Sequence, residues 1–477
     1  MRAFTAGILE QARRGGAAYA DVRVTSRDHE QIAVKNGNVQ ALTAGSSAGF
    51  GVRVLVDGTW GFAASSRPDA AETVVADALR LARAGSLAKG SGVWLSDLPP
   101  VTDTYRTPVT TDPFEVPLAD KVALLLEAER RLHHGGDIRV GEARLSTLKE
   151  RVTFASTEGS FIEQELTECG AGLNATAVGA GEVQTRSYPN AHRGHHATRG
   201  YEFIKEMDLA GNAERVGREA VALLNADQCP PGRHDLVLHG TQLALQIHES
   251  CGHPVELDRV LGFEAGYAGT SFLTRDKLGS FRYGSPAVNI VADATRPGGL
   301  GTFAYDDEGV PAQRVPIISQ GTFVNYLTSR ETAPLLGQAS NGTMRADGWN
   351  RMPIIRMTNI NLEPGDWSFD ELLRDTGTGI YMEINRSWSI DDKRLNFQFG
   401  AEAAWEIRDG SLGPMLKNPT YTGITPEFWQ SCDAVAGEAD WVFWGTPNCG
   451  KGEPSQSAHV GHGAAPARFR GVRVGIK

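Results

Sequence analysis

Two short breaks near the N-terminus constrain the fold more than any other feature of this chain. Asn36-Gly37 and Asp57-Gly58 separate stretches in which apolar and polar residues alternate: Tyr19-Ala-Asp-Val-Arg-Val-Thr-Ser, Gln31-Ile-Ala-Val-Lys, Asn38-Val-Gln-Ala-Leu-Thr, Gly49-Phe-Gly-Val-Arg-Val-Leu-Val and Thr59-Trp-Gly-Phe-Ala-Ala-Ser-Ser. A period of two sends successive side chains to opposite faces of a strand. Asn-Gly and Asp-Gly supply the positive φ values of a two-residue hairpin turn. The pattern predicts an antiparallel meander.

Helical spacing of apolar residues predicts helices over residues 4–14, 70–84, 118–134 and 209–225. Strands return between residues 138 and 183, with a break at Glu158-Gly159. Residues 98–117 read as a Pro-rich connection and 187–200 as a polar loop. Cys229-Pro-Pro-Gly232 cannot continue regular structure. The expected division is therefore an N-terminal α+β domain over residues 1–228 and a β-rich domain over 233–477. The second opens with a strand at 233–238 and a helix capped at Gly240-Thr241. Further strands follow near 287–292, 321–327, 354–357, 379–384 and 403–408, with one helix at 369–374. The fold class is α+β with mostly antiparallel sheets.

The formal net charge of −10, with charges dispersed along 477 residues, provides no basic field for nucleic acid or anionic lipid. No run approaches the roughly 18 apolar residues that span a membrane. The first 20 residues lack the charged-then-apolar order of a signal peptide. The five cysteines (Cys169, Cys229, Cys251, Cys432, Cys449) are odd in number and far apart, which argues against a disulfide framework and for a reducing compartment. A cytoplasmic location is expected.

The chemistry concentrates in Ile247-His248-Glu249-Ser250-Cys251-Gly252-His253-Pro254-Val255-Glu256. This H-E-x-x-x-H stretch is one residue longer than the H-E-x-x-H zinc-hydrolase motif. Two imidazoles can hold a metal ion while the adjacent carboxylate takes a proton from water. On a regular helix, residues five apart differ by about 140° in azimuth. The spacing therefore predicts a π-bulge, which lets i and i+5 share a face, and Gly252 is expected to ease the distortion. A third ligand must come from elsewhere. Glu256 is three residues beyond His253, and Cys449 sits beside Gly450 and Lys451 in a tight turn with a nearby positive charge. Cys251 reads as buried packing.

Leu245-Gln-Ile-His-Glu-Ser-Cys-Gly-His-Pro-Val-Glu-Leu-Asp258 resembles the metal-binding helix of the TldD/PmbA family of peptidases, TldD branch. Further blocks match in order: Pro297-Gly-Gly-Leu-Gly-Thr-Phe-Ala-Tyr-Asp-Asp-Glu-Gly-Val-Pro-Ala-Gln-Arg314, Arg356-Met-Thr-Asn359 and Cys449-Gly-Lys451. The hairpin segments Val34-Lys-Asn-Gly-Asn-Val and Gly49-Phe-Gly-Val-Arg fit the family's first domain. The resemblance implies Zn2+ held by His248, His253 and Cys449, with Glu249 as general base. It implies hydrolysis of short or unfolded peptides, including leader peptides of modified precursors. It also implies a dimer, either with a PmbA (TldE) subunit that lacks the motif or with a second copy. Residues 457–462 and 379–399, the latter with Arg386, Trp388, Asp391 and Asp392, depart from the usual pattern.

Several residues admit other readings. Glu256 is either a partner of a ligating histidine or a solvent-facing charge, and a His/His/Glu site remains open. His192, His195 and His196 fit a solvated loop better than a second metal site. Asp306-Asp-Glu308 fits a turn before Gly309 better than a cation site. Gly298-Gly-Leu-Gly301 lacks the βαβ context of a dinucleotide fingerprint. A zinc deaminase needs H-x-E and P-C-x-x-C, which this chain lacks. The alternative from another class is a non-catalytic partner or scaffold subunit, against which the intact motif counts.

Overall fold

The structure, a computed structural model, describes residues 1–475 except 89, 91, 180 and 192. Its first sheet is built on very long strands: β1 (Tyr19–Lys35), β2 (Asn38–Val56), β3 (Thr59–Ser65), β4 (Thr102–Arg106), β5 (Ile138–Ser156), β6 (Phe161–Gly179), β7 (Glu182–Tyr188) and β8 (His195–Ala197). The order is β3-β2-β1-β5-β6-β4, with β7 and β8 also paired to β6. Asn36, Gly37, Asp57 and Gly58 all adopt positive φ, at 46°, 75°, 49° and 71°, as the hairpin reading requires.

The expected meander is nevertheless made of fewer and longer strands. Tyr19–Ser26 and Gln31–Lys35 are one continuous strand, and the two segments of β2 likewise join. The apolar alternation lapses in mid-strand because β1 crosses between two separate cores. Val22 packs with Ile8, Val52 and Val75 under helices Arg2–Arg14 and Ala71–Ser86. Ile32 and Val34 pack with Leu125, Leu173 and Val216 under helices Leu118–Leu132 and Leu209–Asn225. Residues 98–117 also hold more than a connection, since β4 pairs in parallel with β6. Four of its five residues are exposed, so no apolar period marks it.

The second eight-stranded sheet draws its strands from residues 227–474. Gly379–Ile390, Gly232–Leu238, Ala467–Val474, Thr420–Ile424 and Asn396–Arg408 are neighbours in that order, and the last also pairs with the first. These five strands therefore close into a ring. Closure leaves no free edge among them. A four-stranded sheet and the two-stranded ribbon Val442–Lys451/Gln456–Ala464 lie outside the ring. The two halves meet in a buried ion pair: Arg53, held by Asp21 of its own sheet at 2.7 Å, reaches Glu308 at 3.1 Å. The Asp306–Glu308 run is a turn, with Asp306 accepting from the backbone of Glu308 and Val310. No helix among the described residues is long and apolar enough to cross a membrane.

Candidate metal centre

Strand Gly232–Leu238 of the ring leads directly into helix Gly240–Ile247, all of whose residues are buried. Its cap is His239 rather than Gly240-Thr241: the His239 Nδ1 accepts from the Thr241 backbone N–H at 3.3 Å. The helix then widens into a π turn over His248–Gly252, where the His253 N–H donates to the His248 carbonyl five residues back. The two imidazoles meet with ring centroids 4.9 Å apart and planes at 85°. The five-residue spacing thus becomes a shared face.

Side chains from other elements hold the wide turn open. The Tyr283 hydroxyl donates to the Ser250 carbonyl, and Trp429 Nε1 donates to Ser250 Oγ at 2.9 Å. Gly252 serves a different purpose from the expected one. Its φ of −83° is available to any residue, but a Cβ there would lie 2.1 Å from Met357 Sδ. The glycine is needed for close approach, not for backbone freedom.

Cys449 arrives from the ribbon. The register between its strands slips between Thr446, opposite Val460, and Cys449, opposite Ala458. Such a bulge re-aims the side chain that follows it. Arg356 Nη2 donates to the Cys449 carbonyl at 2.5 Å and Nη1 to Gln456 O at 3.2 Å. Lys451 Nζ is bound by Asp258 at 2.6 Å and by Ile355 O at 2.7 Å.

His248, His253 and Cys449 place one ligand atom each within 4.8 Å of one another, the only such group of three or more among the described residues. The Cys449 Sγ is 3.7 Å from His253 Nε2. The remaining imidazole nitrogens are already engaged. His253 Nδ1 contacts Glu256 Oε2 at 2.9 Å. His248 Nδ1 contacts His462 Nε2 at 2.8 Å. Glu256 therefore lies behind His253 as a hydrogen-bond partner. Cys251 is packed against Tyr283, 3.5 Å from its hydroxyl.

The charges separate the two cysteines. Burial pushes the Cys251 thiol up to about 12. Burial acts in the same direction on Cys449, but positive charge on His248, Arg356 and His253 outweighs it and holds that thiol well below its ordinary value. His253 responds in kind: burial pulls it down, yet Cys449 and Glu256 raise it to about 9. Glu249, next to His248 in sequence, is 6% exposed. Burial disfavours its charge, but His253, His248 and Arg394 lower its pKa overall, and Arg394 Nη1 donates to its Oε2 at 2.8 Å.

His195 and His196 are buried in β8, not solvated. His195 lies between Phe203 and Trp444, with each ring centroid 4.9 Å away, and His196 Nε2 contacts Ser146 Oγ at 3.0 Å. His192 lies outside the described residues. Sequence reasoning passed over His462, Arg394 and the carbonyl-binding role of Arg356. His462 stands between Gly461 and Gly463, which give no period, and Arg394 belongs to a polar loop; neither position carries a local signal.

Three models of one family match the chain in order. They are PmbA/TldA metallopeptidase domain 1 over residues 20–82, the central domain over 111–226 and the C-terminal domain over 231–475. A metalloprotease of Methanocaldococcus jannaschii is 32% identical over 453 residues, 94% of this chain and 95% of the relative. A metalloprotease of Methanothermobacter thermautotrophicus is 32% identical, covering 96% and 95%. Among solved structures, TldE from Thermococcus kodakarensis superposes with a TM-score of 0.77 at 17% identity, over 99% of this chain and 100% of that one.

Proposed function

The chain belongs to the PmbA/TldD metallopeptidase family, and from that premise we propose that it is a zinc-dependent peptidase acting on short or unfolded peptides. The observation that carries this reading is the convergence of His248, His253 and Cys449 beside Glu249. The donor set suits zinc. Bonds of about 2.0–2.1 Å to nitrogen and about 2.3 Å to sulfur at tetrahedral angles separate N from S by roughly 3.6 Å, against 3.7 Å here. Three protein ligands leave the fourth position for water.

Bound zinc would supply Lewis acidity toward a carbonyl oxygen and acidify water. The protein's own part is proton traffic and orientation. Glu249, hydrogen-bonded to the Arg394 guanidinium at 2.8 Å, accepts the proton of the attacking water and returns it to the leaving amine. His462 and Glu256 fix the two ligating rings so that each directs Nε2 inward. The site is almost wholly buried, with His248 and His253 4% exposed and Cys449 2%. Burial of this degree leaves no room for a folded surface at the donors, which supports the substrate class. A TldE-like subunit or a second copy is the proposed partner, and the cytoplasm the proposed location.

The test compares the zinc-loaded wild type with Glu249→Gln on a pool of unstructured peptides, with zinc content measured in both. Equal zinc and loss of cleavage in the variant are expected. Equal cleavage would sink the mechanism, and a wild type that holds no metal would point to a scaffold subunit.

A further inference from the structure

We propose that Arg394 is a catalytic residue, whose guanidinium binds the substrate's scissile carbonyl oxygen as negative charge develops on it. The inference rests on Glu249 as general base and deepens that reading.

Arg394 stands at the tip of the hairpin between Gly379–Ile390 and Asn396–Arg408, with a φ of 63°. A non-glycine residue in the left-handed region is uncommon and persists where its surroundings enforce it. Here they do. The Arg394 N–H donates to the Asp391 carbonyl at 2.8 Å, and the Asp391 carboxylate accepts from the backbone of Leu395 and Asn396 at 2.8 and 3.0 Å. Thr425 Oγ1 donates to the Arg394 carbonyl at 2.9 Å. The tip is also docked onto the chain that follows the metal-site turn. The Phe272 N–H donates to Lys393 O at 2.9 Å, and Arg259 Nη2 donates to Asp392 O at 2.9 Å.

This scaffolding delivers a cation to one place. Nη1 reaches Glu249 Oε2 at 2.8 Å, and 15% of the side chain stays open. Nε is buried with no hydrogen-bond partner among the described residues. A guanidinium carries five donors in a rigid fork, so engagement of Glu249 through one nitrogen leaves others for a second acceptor. A buried donor without a partner is costly, and this one lies on a side chain that touches the general base. The oxygen of the reacting carbonyl is suited to be that second acceptor at the open part of the guanidinium, because water attacking beside Glu249 brings the carbonyl within reach of the same fork. Charge moves onto the oxygen as the water's O–C bond forms; the oxygen's electron pair then re-forms the C=O bond as the C–N pair leaves with the amine, which takes the proton from Glu249. A preformed donor aimed at such charge typically contributes 10²–10³-fold in kcat.

The test uses the full zinc-supplemented chain and one extended fluorogenic peptide. Wild type, Arg394→Ala, Arg394→Lys and Glu249→Gln are compared for zinc content, kcat and KM. A phosphinic peptide that mimics the tetrahedral state is titrated against each. Arg394→Ala should keep its zinc and hold KM within about threefold while kcat falls on the order of 10²–10³-fold. Its affinity for the phosphinic peptide should fall in parallel with kcat/KM. Arg394→Lys, which keeps the charge without the fork, should fall between, and added guanidinium ion should restore part of the Ala variant's rate. A kcat within tenfold of wild type in Arg394→Ala, or unchanged phosphinic-peptide affinity, overturns the proposal while Glu249→Gln remains inactive. Activity retained by Glu249→Gln would instead overturn the functional reading beneath it. If Arg394→Ala does not fold, the Lys variant decides: wild-type kcat and phosphinic affinity there would overturn the proposal.

Discussion

The Nε2 of His462 lies 2.8 Å from the Nδ1 of His248, 214 residues away in sequence and fully buried. His462 Nδ1 faces the carbonyl of Ile360 at 3.3 Å and can only donate to it. Its Nε2 is then the acceptor and His248 Nδ1 the donor, which leaves the His248 Nε2 lone pair free. Burial holds His462 well below its ordinary pKa, in keeping with a neutral acceptor. Replacing His462 with Phe removes that acceptor. Zinc affinity should fall about 10–100-fold, read by competition with a chromophoric chelator, with His462→Gln losing less. Unchanged affinity in the Phe variant would refute the relay.

Cys449 and Glu256 should differ sharply in what their loss does to the metal. Cys449→Ser removes an atom of the converging set, and most of the zinc should be lost on dialysis against a mild chelator. Glu256→Gln keeps an oxygen for His253 Nδ1 and should retain the ion with affinity lowered by about tenfold. The reverse ranking would assign the third ligand to Glu256.

Gly252→Ala should destabilise the fold by about 1–3 kcal/mol, because its Cβ has no room beside Met357. The denaturant midpoint would report it. The double variant with Met357→Ala should lose less than the two single losses added, since the second change clears the space the first one needs. Additive losses would mean the collision is relieved elsewhere.

Glu402 makes stability depend on pH between the two halves of the molecule. It accepts from the Ser187 backbone at 2.7 Å and from its hydroxyl at 2.6 Å. Burial pushes its carboxyl up from 4.5 to about 7 against the opposing pull of Arg186 and Ser187. In that interval the folded state keeps a proton that the unfolded chain has released, so stability falls as pH rises from 4.5 to 7 and levels off above. The group contributes a slope worth at most about 3 kcal/mol. Glu402→Gln should flatten the stability profile there; an equally steep profile in the variant would remove Glu402 as its source.

Much of the frame was legible because it is written locally. Asn36-Gly37 and Asp57-Gly58 each announce a turn within two residues, and helices at 118–132 and 209–225 carry their own period. The H-E-x-x-x-H spacing foretold the π turn because azimuth on a helix is arithmetic. What escaped was set by tertiary contact. The long β1 looked like two strands because its middle serves neither core. His195 and His196 looked like loop residues because three strand residues are too few to show a period. His462 and Arg394 owe their positions to the ribbon and to the hairpin tip, and nothing beside them in sequence says what they face.

The separation of the metal-site donors has a consequence beyond chemistry. Two come from the turn that follows ring strand Gly232–Leu238 and its helix, and one from a ribbon that is not part of the ring, with His253 and Cys449 196 positions apart in sequence. An ion gripped by all three is a cross-link as well as a reagent. It closes a very long loop, whose closure entropy in the unfolded chain exceeds that of any short one, and it fastens the ribbon to the body of the protein. Withdrawing the ion would therefore loosen the C-terminal strands first, so that their amide protons exchange and their backbone is nicked by proteases before the N-terminal sheet gives way.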